Sequence, residues 1–309
     1  MSLTRLLNDR NSALTQFMAA ELPDTGAVLR GYRERLPAGG QALVVPRPPD
    51  GIRPASGTIN AALDHRLRFS LAPAPAANSI ARGVAKTSGT LGEVGMELLS
   101  RITVLVEEHQ PWVRGRPLLL SDDDAEDALD RACYSAALFE EVYRTSKVWP
   151  GSPLAHARSL DGLLAAVPAY ALADIRAMVQ LAEAGLREVR AGTGPDDVHV
   201  GPIFAGSSLV GGADADWVAG RLLGDVKATA SPRRLEATEV WQLIGYVLLD
   251  FDDRYLIDRV GWYVARVGAL VSWEITEFAD LLGARRGIPE LRSMLSELLS
   301  AGRRPASEI

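Results

Sequence analysis

The stretch from Gly211 to Thr229 reads GGADADWVAGRLLGDVKAT. Side chains alternate faces along a strand, so Asp225 and Lys227 share a face of LLGDVKA, with Leu223 preceding them. Asp214 and Asp216 likewise share a face of the segment before it. Gly220, inside WVAGRLL, suits a hairpin turn that would lay the two segments side by side. The spacing therefore predicts Asp214 within reach of Asp225 and Lys227. Carboxylates brought together repel, and burial sharpens the conflict. A divalent cation resolves it, since Mg2+ is commonly held by one or two carboxylates plus water and substrate phosphate. A lysine beside them can serve an attacking water or stabilise charge on a phosphate.

The surroundings extend the pattern. After Arg190 the chain turns through AGTGPDD and enters VHVGPIF, a short β-rich run. Beyond the opening stretch a helix is expected over Leu235–Asp250. YLIDRVGWYVAR and ALVSWEI then form two strands that turn near Val267 and Gly268. TEFADLLG and IPELRSMLSELLS are expected as closing helices, starting near Thr276 and Pro289.

These residues resemble the PD-(D/E)XK nuclease superfamily, especially its RecB-type exonuclease branch. Asp214, in GGAD, matches the first acid, and Asp225-Val226-Lys227 the acid-x-lysine element. Gln242 and Tyr246, in WQLIGY, match a glutamine and tyrosine four apart on the following helix and share one helical face. The likeness spans roughly Pro202 to Trp273. It implies an α/β fold with a restriction-endonuclease-like mixed sheet flanked by helices, and phosphodiester hydrolysis, in DNA more readily than RNA. It also implies that Asp214, Asp225 and the Val226 carbonyl hold Mg2+ or Mn2+, and that Gln242 and Tyr246 line the site or touch the nucleic acid. Asp216 could be a neighbouring acid or a solvated strand residue. Two departures stand out. Ala213 replaces the usual proline, and Met96 stands where an upstream helix would offer a histidine; Glu97 and Glu183 are the candidates for that upstream acid. A nuclease-like module that binds nucleic acid or assembles without cutting is the alternative.

The first 190 residues are expected to form a mainly helical portion, packed on an α/β core over 191–309 as one compact unit. The proline-rich VVPRPPDGIRPAS reads as a loop, and the pattern from Gly57 to Arg190 is helical. SDDDAEDALD is read as a helix start capped by Ser121, because it lacks the glycine and later glutamate of a calcium loop. His65, Arg66 and Arg68 suggest either a basic patch or a surface helix, and Arg259 and Arg266 are further candidates for a phosphate contact.

Composition bounds the rest. The 309 residues include 47% hydrophobic and 23% charged side chains, as in an ordinary globular protein. The single cysteine, Cys133, excludes an internal disulfide framework and a multi-cysteine zinc site; it reads as a buried helix residue. His65, His109, His156 and His199 show no metal-ligand spacing. A net charge of −6 makes any nucleic-acid contact a matter of local basic groups. No leader or membrane-spanning run is read in the sequence, so a cytoplasmic location and no membrane partner are expected.

Overall fold

A computed structural model describes residues 2–38, 42–46, 48, 51, 54–73 and 78–301. Part of the proline-rich loop lies outside them. Five strands form one mixed sheet: β1 (Val198–Val200), β2 (Trp217–Ala219), β3 (Leu222–Lys227), β4 (Arg259–Val264) and β5 (Ala269–Glu274). They lie in chain order, β1-β2-β3-β4-β5. All neighbours are antiparallel except β3 and β4.

The opening stretch makes the hairpin at the sheet's centre. Gly220, at φ 60°, supplies the left-handed backbone that a two-residue turn between Ala219 and Leu222 requires. Trp217 then pairs with Gly224, and a Cβ on Gly224 would come within 2.0 Å of the Trp217 ring. Only glycine leaves room there. This fit pins the register, and a slip of one residue would turn the acids to the opposite face.

A parallel β3–β4 pair needs a crossover, and the helix Ala237–Leu249 provides it. Val240, Leu243, Ile244 and Val247 form its buried stripe. Glu239 caps it, accepting from the Glu236 backbone N–H at 2.8 Å.

Helices cover both faces of the sheet. Trp217, Leu222, Tyr263 and Ala265 join a core with helices between residues 56 and 192, centred on the buried helix Asp123–Thr145. Leu223, Val260, Trp262, Val264 and Trp273 join a second core with helices Leu3–Asn8, Ala13–Glu21, Thr25–Arg35, Ala237–Leu249 and Ile288–Ala301. Thus the helical residues before 190 divide between the two layers. Those near the N-terminus belong with the C-terminal helices. Among the described residues, no helix is long and apolar enough to cross a membrane.

Several polar expectations change. Asp122, not Ser121, caps the helix Asp123–Thr145 and accepts from the backbone N–H groups of Asp124 and Ala125. Arg66 is no basic-patch residue: it is fully buried, with Nη2 2.8 Å from Glu126 and Nε 3.6 Å from Asp130. Arg266 is equally unavailable to phosphate, because its guanidinium forks onto Asp174 at 2.9 and 2.7 Å and Nε donates to the Ala228 carbonyl. A buried cation must be paired, and the partners lie far away in sequence. Cys133 is buried in its helix.

Asp130 is the strained member of this interior network. Neither of its carboxylate oxygens has an aligned hydrogen-bond donor. Burial pushes the carboxyl up to about 8, with Glu126 adding and Arg66 opposing. The folded protein therefore holds a proton that the unfolded chain releases, so this group's contribution to stability falls as pH rises from about 4 to about 8. Asp130→Asn should flatten that decline when unfolding midpoints are followed across the window. An unchanged slope in the variant would contradict the assignment.

Candidate functional site

The β2–β3 pairing ends at Trp217–Gly224, and Asp216, the residue just before β2, lies close enough to Asp225 to raise its carboxyl pKa. Asp216 Oδ2 accepts from the Val226 backbone N–H at 2.6 Å, and the Asp216 carbonyl accepts from Gly201 N at 2.9 Å. The acid is held at both ends. Asp214 lies two residues farther out. It is exposed, and its backbone bridges Ile203. The structure thus corrects the expected pair: Asp216, rather than Asp214, faces Asp225. Asp214 instead lines a recess of about 120 Å³ with His65, Arg68, Arg82 and Tyr143.

Asp225 is 7% exposed, and its Oδ2 lies 2.8 Å from Lys227 Nζ. No donor is aligned on that oxygen as a hydrogen bond, so the contact is an ion pair. Burial pushes the Asp225 carboxyl up to about 6; Asp216 and Glu239 add to the effect while Lys227 opposes it. Burial also works against the charge on Lys227, but Asp225 and Glu239 outweigh it and hold the amine above its usual pKa. Glu239 Oε1 is 3.1 Å from Nζ. Lys227 is a fixed positive charge, clamped between two acids from a strand and a helix.

The crossover helix brings the expected glutamine and tyrosine to the same place. Gln242 Nε2 donates to Tyr246 Oη at 2.7 Å. Tyr246 is buried and stacks on Phe204, with centroids 5.7 Å apart. Burial raises its pKa, and Asp225, Asp216 and Asp214 raise it further. Its hydroxyl therefore sits in the field of all three carboxylates and keeps its proton.

The upstream helix differs from expectation. Glu183, on Ala169–Gly185, accepts from the Leu118 backbone N–H, a structural role. Glu97 is exposed on Gly89–His109, a helix that packs on Asp123–Thr145. The helix that reaches the acids is Ser56–Leu71. Its Arg68 Nη2 lies 2.6 Å from Asp64 Oδ2 and 3.3 Å from Asp216 Oδ1. The one-turn spacing of Asp64 and Arg68 was the visible signal for such a pair. His65 in the same helix is buried, with Nε2 2.7 Å from Glu140. Burial lowers its pKa.

Four acids (Asp64, Asp216, Asp225 and Glu239) thus gather around two cations, Arg68 and Lys227. The excess of negative charge suits a divalent cation. Among the described residues no three His, Cys, Asp or Glu side chains form a ready-made metal group. A pair of carboxylates completed by backbone oxygen and water meets the demand of Mg2+. Asp216 and Asp225 are the residues that could hold such an ion.

Removing Lys227 would leave Asp225 buried without its counter-charge. Lys227→Met should cost about 3 kcal/mol at pH 8, where Asp225 is ionised. The loss should shrink near pH 5, where Asp225 is protonated. Urea unfolding at both pH values checks this, and an equal loss at both would contradict it. No protein-family model matches the chain, and neither a curated protein nor a solved structure matches it.

Proposed function

We propose that the chain is a metal-dependent nuclease with a restriction-endonuclease-like core that hydrolyses phosphodiester bonds, with DNA as the favoured substrate. One observation carries this reading: Asp216, at the entry to β2 and bound to the Val226 N–H, lies beside Asp225 of β3, with Lys227 paired to the second acid. Asp216, Asp225 and the Val226 carbonyl would hold Mg2+ or Mn2+. Such an ion, when bound, polarises a phosphate and lowers the pKa of a coordinated water.

The chain's own groups supply the remainder. Lys227 keeps its proton, so its role is to attract the phosphate and offset charge that builds on it, rather than to act as a base. Tyr246 presents a protonated hydroxyl beside the acids, and Gln242 fixes it. Asp214, in the adjoining recess, is positioned to bias entry of substrate rather than to hold the ion.

A second reading draws on the ion pairs themselves. Arg68 on Asp216 and Lys227 on Asp225 already balance part of the site's charge. That arrangement would suit a nuclease-like module that binds nucleic acid or a protein assembly without turnover.

The test uses linear single- and double-stranded DNA and a matched RNA, each with Mg2+ or Mn2+. The wild-type protein should cleave, and chelation should abolish cleavage. Asp216→Asn, Asp225→Asn and Lys227→Met should each lose at least about 100-fold, the usual scale for removing an electrostatic group from a reacting centre. Asp214→Asn should stay within about tenfold. Undiminished cleavage in the Asp225 and Lys227 variants would reject the site, and metal-independent binding without cleavage would establish the second reading.

A further inference from the structure

Arg68 reaches Asp216 from a different layer of the fold. Its guanidinium is shared between two acids, and the two contacts are unequal. With Asp64, one turn earlier on the same helix, it makes a fork: Nε donates to Oδ1 at 2.9 Å and Nη2 lies 2.6 Å from Oδ2. With Asp216 it makes a single, longer contact of 3.3 Å, to Oδ1. The other Asp216 oxygen is committed to the Val226 N–H. Oδ1 is therefore the oxygen through which Asp216 would accept a cation, and Arg68 sits on it.

We infer that Arg68 is the resident counter-ion of Asp216, and that a divalent cation binds by displacing its guanidinium while Asp64 retains it. This deepens the proposed function and rests on it for the presence of the metal. The geometry favours exchange over permanent pairing. The strong fork to Asp64 survives if the Asp216 contact breaks, so Arg68 keeps a partner and no buried charge is stranded. Gly201 lies beside the seat: a Cβ there would lie 2.8 Å from Arg68 Nη1, so the absence of a side chain leaves the guanidinium room to sit where it does. Each state then satisfies Asp216 by a different cation, and the acid is never left bare beside Asp225.

The test measures Mn2+ binding calorimetrically in the full chain, without nucleic acid. Removing the competitor should tighten binding, so Arg68→Gln is expected to gain about tenfold over wild type. Arg68→Lys keeps the positive charge but loses the fork, and should also bind more tightly than wild type. Arg82→Ala is the control for long-range charge. Arg82 lines the same recess, and its hydrogen bond and ring contact are to Tyr143. Its loss should leave Mn2+ affinity within about twofold. Thermal unfolding gives a second readout, with Mn2+ raising the midpoint of Arg68→Gln by more than that of wild type. If Arg68→Gln is poorly folded, Arg68→Lys decides.

Binding that appears only in the Arg68 variants would support the exchange. Unchanged or weaker Mn2+ binding in those variants, an equal gain in Arg82→Ala, or no binding in any protein would overturn it. The two readings fail separately. Tighter Mn2+ binding in the Arg68 variants without cleavage by wild type would sink the nuclease and leave the exchange standing. Metal-dependent cleavage with Mn2+ affinity indifferent to Arg68 would do the reverse.

Discussion

Two neighbouring carboxylates, Asp216 at the entry to β2 and Asp225 on β3, cannot both be charged in a partly buried setting unless cations are brought to them. Much of the local architecture answers that constraint. Lys227 approaches Asp225 along the same strand, and Glu239 holds the lysine from the crossover helix. Arg68 approaches Asp216 from a helix in the opposite layer. The Val226 N–H fixes the remaining Asp216 oxygen, tying the acid to the strand that bears its partner.

The sheet can hold this arrangement because both of its faces are packed. Leu222 and Leu223 are neighbours in sequence but belong to different cores, one against the helices between 56 and 192, the other against both ends of the chain. The first helix is anchored near the site as well: Leu3 N donates to the Gly212 carbonyl, in the loop that leads to Asp214. Arg266, just beyond β4, ties the end of the sheet to the helix Ala169–Gly185 through Asp174, and to the Ala228 carbonyl just beyond β3. Removal of either charge would strand the other in the interior. Such pairs therefore hold the layers in a fixed relation around the acids.

Local pattern made much of this legible. The hairpin at Gly220, the acid-x-lysine strand, the two late strands and the helix that presents Gln242 and Tyr246 all follow from neighbours in sequence. The choice between Asp214 and Asp216 did not. Both lie on one face, and alternation alone cannot say which stands opposite Asp225. The deciding feature is the fit of Trp217 against Gly224, whose missing side chain was the available clue. Glu239 was also within reach, three residues before Gln242 on the same helical face. Arg66 and Arg266 were misread for another reason. Their acids are remote in sequence, so burial of the charge was invisible until the helices were assembled. The same distance hid the contact of Arg68 with Asp216, and left Glu97 and Glu183 as the candidates for an upstream acid.

The proposed seat for one cation is the pair Asp216 and Asp225. Crystals soaked in Mn2+ and measured at the manganese absorption edge test it most directly. A single anomalous peak is expected within coordination distance of both carboxylates, with the Arg68 guanidinium withdrawn toward Asp64. A peak at Asp214 away from Asp225, or no peak with Arg68 still on Asp216, would contradict it.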